Sequence, residues 1–447
     1  MRLNKQKLML VNFIINFLYT LLFLPLATIR IFIKAIKNPK YFDRLSERFV
    51  FSPLFLSTNK SYNFDIWIHT VSVGEFVAAK PLILELIKRK PDYKILLTCT
   101  TLTGTELVKK FIDEQNALNK LSRLKHVYFP YDSNIICSRF IKHYNPKMAV
   151  FFETEIWPKM FKQIKKQNIK LFIINARLSE KSYKGYARFK SYIKKIINHA
   201  DFIATQGKLD QERFEKLGYD KTKISTYGNI KYNIKLPTDI DQVSSKYRVL
   251  LDLNAQSLVL VAASTHQGEE EIVLNAFIKL KKTYPNLLLI LVPRHPERFK
   301  GVEKLCLATQ MTVRKYSDGD NTTVGKNIDI FLLDTIGQLL YFYNLADMAF
   351  IGGSMVPVGG HNPLEAAVFK KPVIMGPHYH NFTEIVENLK KHHGLLLCES
   401  AADLDSKILP LLLDRSLRAK IGLNAFAALT EQGNILEKYT ELLLNCD

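Results

Sequence analysis

Cysteine is scarce in this chain, and what there is stands alone. Cys99, Cys137, Cys306, Cys398 and Cys446 are five in 447 residues, with no CxxC pair and an odd total. Such spacing argues against a disulfide frame or a zinc site and fits a reducing compartment. Also missing are a GxGxxG fingerprint, an internal repeat, a low-complexity segment and any helix-turn-helix or aromatic-basic RNA motif. A nucleic-acid role therefore has only charge to support it. Acidic residues are in deficit: 42 Asp and Glu stand against 63 Lys and Arg, a formal charge of +21. The surplus attracts anions, and its sign alone does not choose between nucleic acid, acidic lipid and a phosphorylated substrate.

What is present is globular in composition, 47% hydrophobic and 23% charged, and long enough for two domains with separate cores. One apolar run stands out. Residues 8–33, LMLVNFIINFLYTLLFLPLATIRIFI, carry a single charge, Arg30, and the part before it has the roughly 20 residues that a bilayer-crossing helix needs. No small-residue cleavage site follows; the next residues include Lys34, Lys37, Lys40, Arg44 and Arg48. The segment thus reads as a retained anchor, spanning or monotopic, rather than a signal peptide. This basic flank outweighs Arg2, Lys5 and Lys7 ahead of the run, which leaves the body of the protein on the cytoplasmic side. In a monotopic arrangement the same bases rest on acidic headgroups.

From residue 60 onward short apolar runs alternate with helical patterns, the signature of parallel sheets covered by helices. The first half predicts strands at 65–70, 94–100, 126–130, 148–153, 170–175, 201–205 and 223–227. The second predicts them at 258–263, 287–292, 328–333, 348–351, 372–375 and 394–398. Between them YNIKLPTDIDQVSSKYR reads as a polar, proline-bearing linker. The expected fold class is α/β, two doubly wound domains whose ligands bind at the carboxyl ends of the strands. The expected division is 1–48 for the anchor and its basic flank, 49–235 for the first domain and 236–447 for the second.

Chemistry is then sought in the strand-end loops. HTVSVGEF (69–76) sets Glu75 where a strand gives way to a helix. AVFFETEIWPKM sets Glu153 and Glu155 around Thr154, two acids that perturb each other's protonation in a cleft but not in open solvent. NARLSEKS adds Arg177, and GNIKY offers Lys231 at the domain boundary. In the second half VPRHPERF exposes Arg294 and His295 in a turn enforced by Pro293 and Pro296, and a guanidinium there suits phosphate or carboxylate. ASTHQGEE offers Ser264, Thr265 and His266, as good for an N-cap as for a ligand loop. LLDTIGQLL puts Gly337 and Gln338 at a similar junction. IGGSMVPVGGHNPLEAA carries two glycine pairs ahead of a helix opening near Asn362. Glu365 in its first turn is either a ribose-binding acid or a residue that complements the helix dipole.

Taken in order, HTVSVGE, FFETEIWP, NARLSEKS, GNIKY, ASTHQGEE, VPRHPERF and IGGSMVPVGGHNPLEAA resemble the 3-deoxy-D-manno-octulosonic acid (Kdo) transferases, the lipid A glycosyltransferases of Gram-negative bacteria. The similarity runs from the apolar segment to near residue 440. It implies a GT-B fold, two Rossmann-like domains facing across a cleft, the first for acceptor and the second for a CMP-sugar. It also implies inverting transfer of Kdo from CMP-Kdo to the lipid A precursor, lipid IVA, in lipopolysaccharide core biosynthesis at the inner membrane. By the same similarity Glu75 matches the catalytic base, and Glu153 and Lys231 the transition-state stabilisers. CMP contacts fall on Pro293 and Arg294, on Ile336, Gly337 and Gln338, and on Asn362, Pro363, Leu364 and Glu365. Two positions depart from the family pattern. Gln338 stands where a glutamate is usual, which bears on how the nucleotide is held, and Val358 stands where an arginine is frequent. The sequence shows no metal constellation, and Lys231 with Arg294 is placed to offset the charge of departing CMP, so no metal or other cofactor is expected. The fold alone equally permits a UDP-sugar donor with a membrane lipid acceptor. A non-catalytic basic membrane scaffold is the third reading, opposed by the acidic strand-end loops.

Overall fold

The computed structural model describes residues 17–19, 22, 25–36, 38–51, 62–119, 123–319 and 328–445. Arg2, Lys5, Lys7, residues 8–16 of the apolar run, Lys37 and Cys446 lie outside the described residues. The chain forms two units. One takes the residues up to Asn233 and again from Asn434; the other is Ile234–Gly433.

In the first unit β1 (Phe64–Thr70), β2 (Ile95–Cys99), β3 (Leu124–Tyr128), β4 (Pro146–Phe152), β5 (Lys170–Ala176), β6 (Phe202–Thr205) and β7 (Ile224–Thr226) make one sheet. Its order is β3-β2-β1-β4-β5-β6-β7, and every pairing is parallel. Strands buried on both faces carry near-continuous apolar runs, and β1 and β4 do so. Fully buried Trp67 packs on Phe140 and Phe151, at 5.0 and 5.3 Å between ring centroids, and its indole N–H donates to Thr98 Oγ1 at 2.9 Å. The strand order reverses between β1 and β4, where Ile68 lies opposite Val150. Such a switch point opens a crevice beyond the strand ends.

The second unit repeats the plan with β8 (Leu258–Thr265), β9 (Leu287–Pro293), β10 (Val313–Lys315), β11 (Ile330–Leu332), β12 (Met348–Ile351), β13 (Val373–Met375) and β14 (Leu395–Leu397). The order is β10-β11-β9-β8-β12-β13-β14, all parallel. Its switch point lies between β8 and β12. Edge strand β10 was absent from the expected set because three residues reading VRK make no apolar run, and charge on an edge is the usual protection against stray pairing. β3 begins two residues earlier than expected. The linker at 232–248 runs into helix Ile240–Leu250, whose buried Ser244 donates to the Tyr341 carbonyl at 3.0 Å.

Both ends of the chain depart from the expected division. The sequence suggests one boundary, at 235/236, but helix Ile435–Leu444 returns to the first unit. There Arg89 is held by Glu437 and Glu441, and Tyr439 is fully buried. At the other end residues 25–36 are helical, and no helix among the described residues is long and apolar enough to cross a membrane. Ala27 and Ile31 pack on the first core, and Ala35 is buried. Tyr19, in the middle of the apolar run, donates to the buried carboxylate of Asp132 at 2.7 Å. Arg44 and Arg48, expected on lipid headgroups, are instead built into the unit. Arg44 pairs with Glu47 and donates to the His126 carbonyl at 3.0 Å. Arg48, 6% exposed, donates to the Thr100 carbonyl at 2.7 Å and lies 4.0 Å over the Tyr128 ring.

Candidate active site

The first cluster stands at the β1/β4 switch point. After β1, Ser72 caps helix Val73–Arg89, and Glu75 falls in its first turn. The Glu75 side chain folds back on the strand end: Oε2 accepts from the Val71 N–H at 2.7 Å and Oε1 from the Ser72 hydroxyl at 3.3 Å. Burial raises this carboxyl to about 7. The charge of Glu153 adds to the rise, while the Val71 bond, the Ser72 bond and Lys231 oppose it. After β4, Glu153 takes a left-handed backbone (φ 58°) with its N–H on the Ile174 carbonyl at 3.0 Å. A non-glycine residue rarely adopts that conformation, at a cost of about 1–3 kcal/mol that its surroundings must offset. Glu153 meets Lys231 Nζ at 3.7 Å. Glu155, two residues on, is pushed up to about 8 by burial and then by Glu75. Glu75, Glu153, Glu155 and Lys231 therefore share one electrostatic environment.

The Lys231 turn, Ile230–Tyr232, is held from behind by neutral amides and one phenol. Asn229 Oδ1 accepts from the Lys231 N–H at 3.1 Å, and Asn229 Nδ2 donates to Gln206 Oε1 at 3.0 Å. Asn175, buried with a left-handed φ of 49°, accepts the Ile230 N–H on Oδ1 at 3.0 Å. The Tyr439 hydroxyl accepts the Asn175 N–H at 3.2 Å and donates to the Gly228 carbonyl at 2.9 Å. Sequence reasoning missed this support because its members are far apart in the chain and none is charged.

A cavity of about 540 Å³ opens beside the cluster. Val71, whose N–H holds Glu75, and Glu155 form part of its wall; Arg30, Lys34, Tyr131 and Trp157 form others.

In the second unit Pro293 is the buried last residue of β9, and Arg294 is exposed beyond it, its N–H on the Thr265 carbonyl at 3.0 Å. Glu365 lies in the short helix Leu364–Ala367; burial raises it to about 7, against Arg294 and a hydrogen bond from Asn362. Asn362 Oδ1 accepts from the Leu364 N–H at 3.2 Å. Pro293, Arg294 and Asn362–Glu365 are thus brought together. Ile336, Gly337 and Gln338 follow β11, where Gln338 accepts from the Tyr247 hydroxyl at 3.4 Å and Ile336 is exposed. No hydrogen bond among the described residues joins them to the Arg294 group. Of the two departures from the family pattern, Gln338 is therefore oriented by a tyrosine, and Val358 is exposed.

Two doubly wound parallel units, each with polar groups gathered at its switch point, define the GT-B fold. Solved structures that share the fold include a UDP-GlcNAc 2-epimerase from Neisseria meningitidis, with TM-score 0.56 and 14% identity, covering 85% of this chain and 99% of that one. A glycosyltransferase from Rickettsia africae has TM-score 0.54 and 16% identity, covering 87% of this chain and 100% of that one. The family model of 3-deoxy-D-manno-octulosonic-acid transferase matches residues 43–234. A 3-deoxy-D-manno-octulosonic acid transferase of Haemophilus influenzae is 36% identical over 432 residues, 96% of this chain and 98% of the relative. The corresponding protein of Rickettsia felis is 33% identical, over 85% of this chain and 78% of the relative. The chain belongs to the Kdo transferase family.

Proposed function

We propose that this protein transfers Kdo from CMP-Kdo, with inversion, to the lipid A precursor lipid IVA in lipopolysaccharide core biosynthesis. The observation that carries the reading is the Glu75 carboxyl, tuned to about 7 at a switch point beside the Glu153–Lys231 pair. A general base works best with a pKa near the working pH. Glu75 takes the proton of the acceptor hydroxyl as its oxygen attacks the anomeric carbon. The bond from that carbon to the phosphate oxygen breaks, and its electron pair leaves on CMP. Lys231, steadied by Glu153, offsets negative charge as it develops. The second unit holds the nucleotide through Pro293 and Arg294, Ile336 to Gln338, and Asn362 to Glu365, with Glu365 on the ribose.

The acceptor belongs in the cavity next to Glu75, where Arg30 and Lys34 suit a phosphate and the apolar wall suits the start of an acyl chain. Incubating the protein with bisphosphorylated acceptor and either CMP-Kdo or UDP-sugars, followed by mass spectrometry of the lipid, tests the whole reading. A Kdo mass increment with CMP-Kdo alone is expected; hexose transfer from a UDP-sugar would replace this reading with the broader GT-B one.

The N-terminal segment supports a monotopic seat on the cytoplasmic face of the inner membrane. Its inward residues hold the unit, as Tyr19, Ala27, Ile31 and Ala35 do. Beside Arg30 and Lys34 its outward residues are apolar: Leu22, Leu26, Ile29, Phe32, Ile33 and Ile36 are 48–82% exposed. An apolar face of this kind buries in the headgroup and acyl boundary. Deleting the segment would uncover the core, so charged replacements on the outward face are the cleaner test. Ile29→Asp with Ile33→Asp is expected to lower transfer on vesicles by about tenfold, or ~1.4 kcal/mol, and to leave detergent-dispersed acceptor turned over at the wild-type rate. Equal vesicle rates would take the membrane away from this face.

A further inference from the structure

The β8/β12 switch point of the second unit holds a histidine pair that the reading above leaves without a task. His266 follows β8, and His361 stands in the loop after β12. Their Nε2 atoms are 2.8 Å apart and their rings lie within 9° of parallel, so one imidazole donates to the other. The pair is fixed on both sides. Gly353, with φ 68°, presses against the His361 ring, and a Cβ there would stand 3.1 Å from its Cδ2. The His266 backbone N–H donates to Glu269 at 2.9 Å.

The charges around the pair are nearly all positive or already matched. From the end of β9 come Arg294, whose guanidinium makes no hydrogen bond or ion pair among the described residues, and His295, whose ring centre is 5.2 Å from that of His266. His295 also has Glu297 at 3.9 Å, out on the surface. From helix Glu269–Thr283 come two acids that are already engaged. Glu269 is fully buried and accepts four backbone N–H groups, those of His266, Gly353, Ser354 and Met355, at 2.6–3.0 Å. Glu270 is clasped by both terminal nitrogens of Arg298, at 2.6 and 2.9 Å. From helix Leu364–Ala367, Glu365 faces Arg294. Among the described residues no other carboxylate acts on the two histidines, and both are shifted toward the neutral form. Burial, then His266, Arg294 and His295, keep His361 down at about 3; burial, then His295, Arg298 and Arg294, lower His266 against the pull of Glu270.

We propose that His266 and His361 form a proton-linked oxyanion site, which receives the phosphate of the nucleotide donor and takes up one proton as it does so. The inference rests on reading the second unit as the donor unit. A neutral pair spends its one bridging proton internally, so it offers a ligand no donor from that edge. With a second proton the two Nε2–H groups repel, the pair opens, and both donate to oxygens of the phosphate. The arriving negative charge supplies the counterion that the cluster lacks and makes the protonated state the stable one. The balance is one proton from solvent and one His–His hydrogen bond exchanged for two charge-assisted N–H···O bonds.

Calorimetric titration of the full-length protein with CMP at pH 7.5, in two buffers of different ionisation enthalpy, reads this proton directly. At that pH the phosphate of CMP is already a dianion, its second pKa being about 6. The wild type is expected to take up a measurable fraction of a proton per CMP bound. Cytidine, which keeps the ribose facing Glu365 but lacks phosphate, is expected to bind without uptake. His361→Gln and His266→Gln are each expected to lose the uptake and to bind CMP about tenfold more weakly. CMP binding by the wild type without proton uptake overturns the site while leaving the donor reading intact. Equal uptake with cytidine, or undiminished uptake in both variants, does the same by moving the proton elsewhere. Absence of any CMP binding removes the donor reading and this site with it. The wild-type measurements stand even if a variant fails to fold.

Discussion

Turnover by Glu75→Gln is expected to fall ~10²–10⁴-fold, the usual worth of a general base, with CMP affinity unchanged because the nucleotide is assigned to the other unit. The wild-type rate should rise with pH through about 7 and level off above it, since only the ionised carboxyl accepts a proton. The variant should lose that limb. Stability runs the opposite way. The folded pKa lies above the unfolded value of about 4.3, so the folded protein keeps a proton that the unfolded chain releases between those pH values. The stabilisation is fully present below about 4.3 and is lost as pH rises through about 7. Glutamine has no such proton to lose. At pH 8 the variant should therefore melt above the wild type, by on the order of 1–3 kcal/mol. A carboxylate serving only its helix N-terminus predicts the reverse, a loss of about 0.3–1 kcal/mol with the rate nearly intact. Rate–pH profiles and melting curves on the same preparation separate the two, and a near-normal rate would send the search for a base to Glu153 or Glu155.

Lys231→Ala carries the other large effect, a drop in kcat of ~10²–10³ if its ammonium stabilises charge in the transition state as oxyanion-hole donors do. It should also move the pH limb. Lys231 helps the Val71 and Ser72 hydrogen bonds hold the Glu75 pKa down against burial and Glu153, so removing the lysine weakens that opposition and shifts the limb to higher pH. Lys231→Arg keeps the charge and should restore the limb while recovering only part of the rate. Tyr439→Phe, which removes the hydroxyl bonded to Gly228 and Asn175, should lower kcat with little change in CMP affinity. An unmoved limb together with a rate above a tenth of wild type would take Lys231 out of the reaction.

The central strands were legible because burial on both faces leaves long apolar runs such as IWIH and MAVFF, and Glu75 and Glu153 stood out because each is a carboxylate in the segment that follows such a run, Glu153 directly and Glu75 in the first turn of the next helix. Edge strand β10 was not, since pairing with β11 needs only three residues. Arg48 shows why a basic flank misleads: the same residue type serves a lipid surface or a buried cation over a tyrosine ring, and only its neighbours decide. His266 was visible as a loop residue, but its partner lies 95 positions away. Tyr439 and Gly228 are 211 apart. Contacts of that separation leave no periodicity to read, and a left-handed backbone at Glu153 is imposed by the sheet end rather than by the residue.

The return of helix Ile435–Leu444 to the first unit sets an order of events during synthesis. Everything needed for the sheet that carries Glu75 and Glu153 has been made by Asn233, yet Tyr439, which fastens the Lys231 turn, is encoded after the entire second unit. At ~5–20 residues per second, the roughly 200 residues between them take about 10–40 s to add. A nascent chain thus passes through a period in which the first sheet is complete but its lysine is unfastened. A chain released early, from a truncated message, stays in that state permanently. A chain that stops short of Tyr439 lacks the hydroxyl that bonds Gly228 and Asn175, so its Lys231 turn is left with the amide contacts of Asn229 and Asn175 alone.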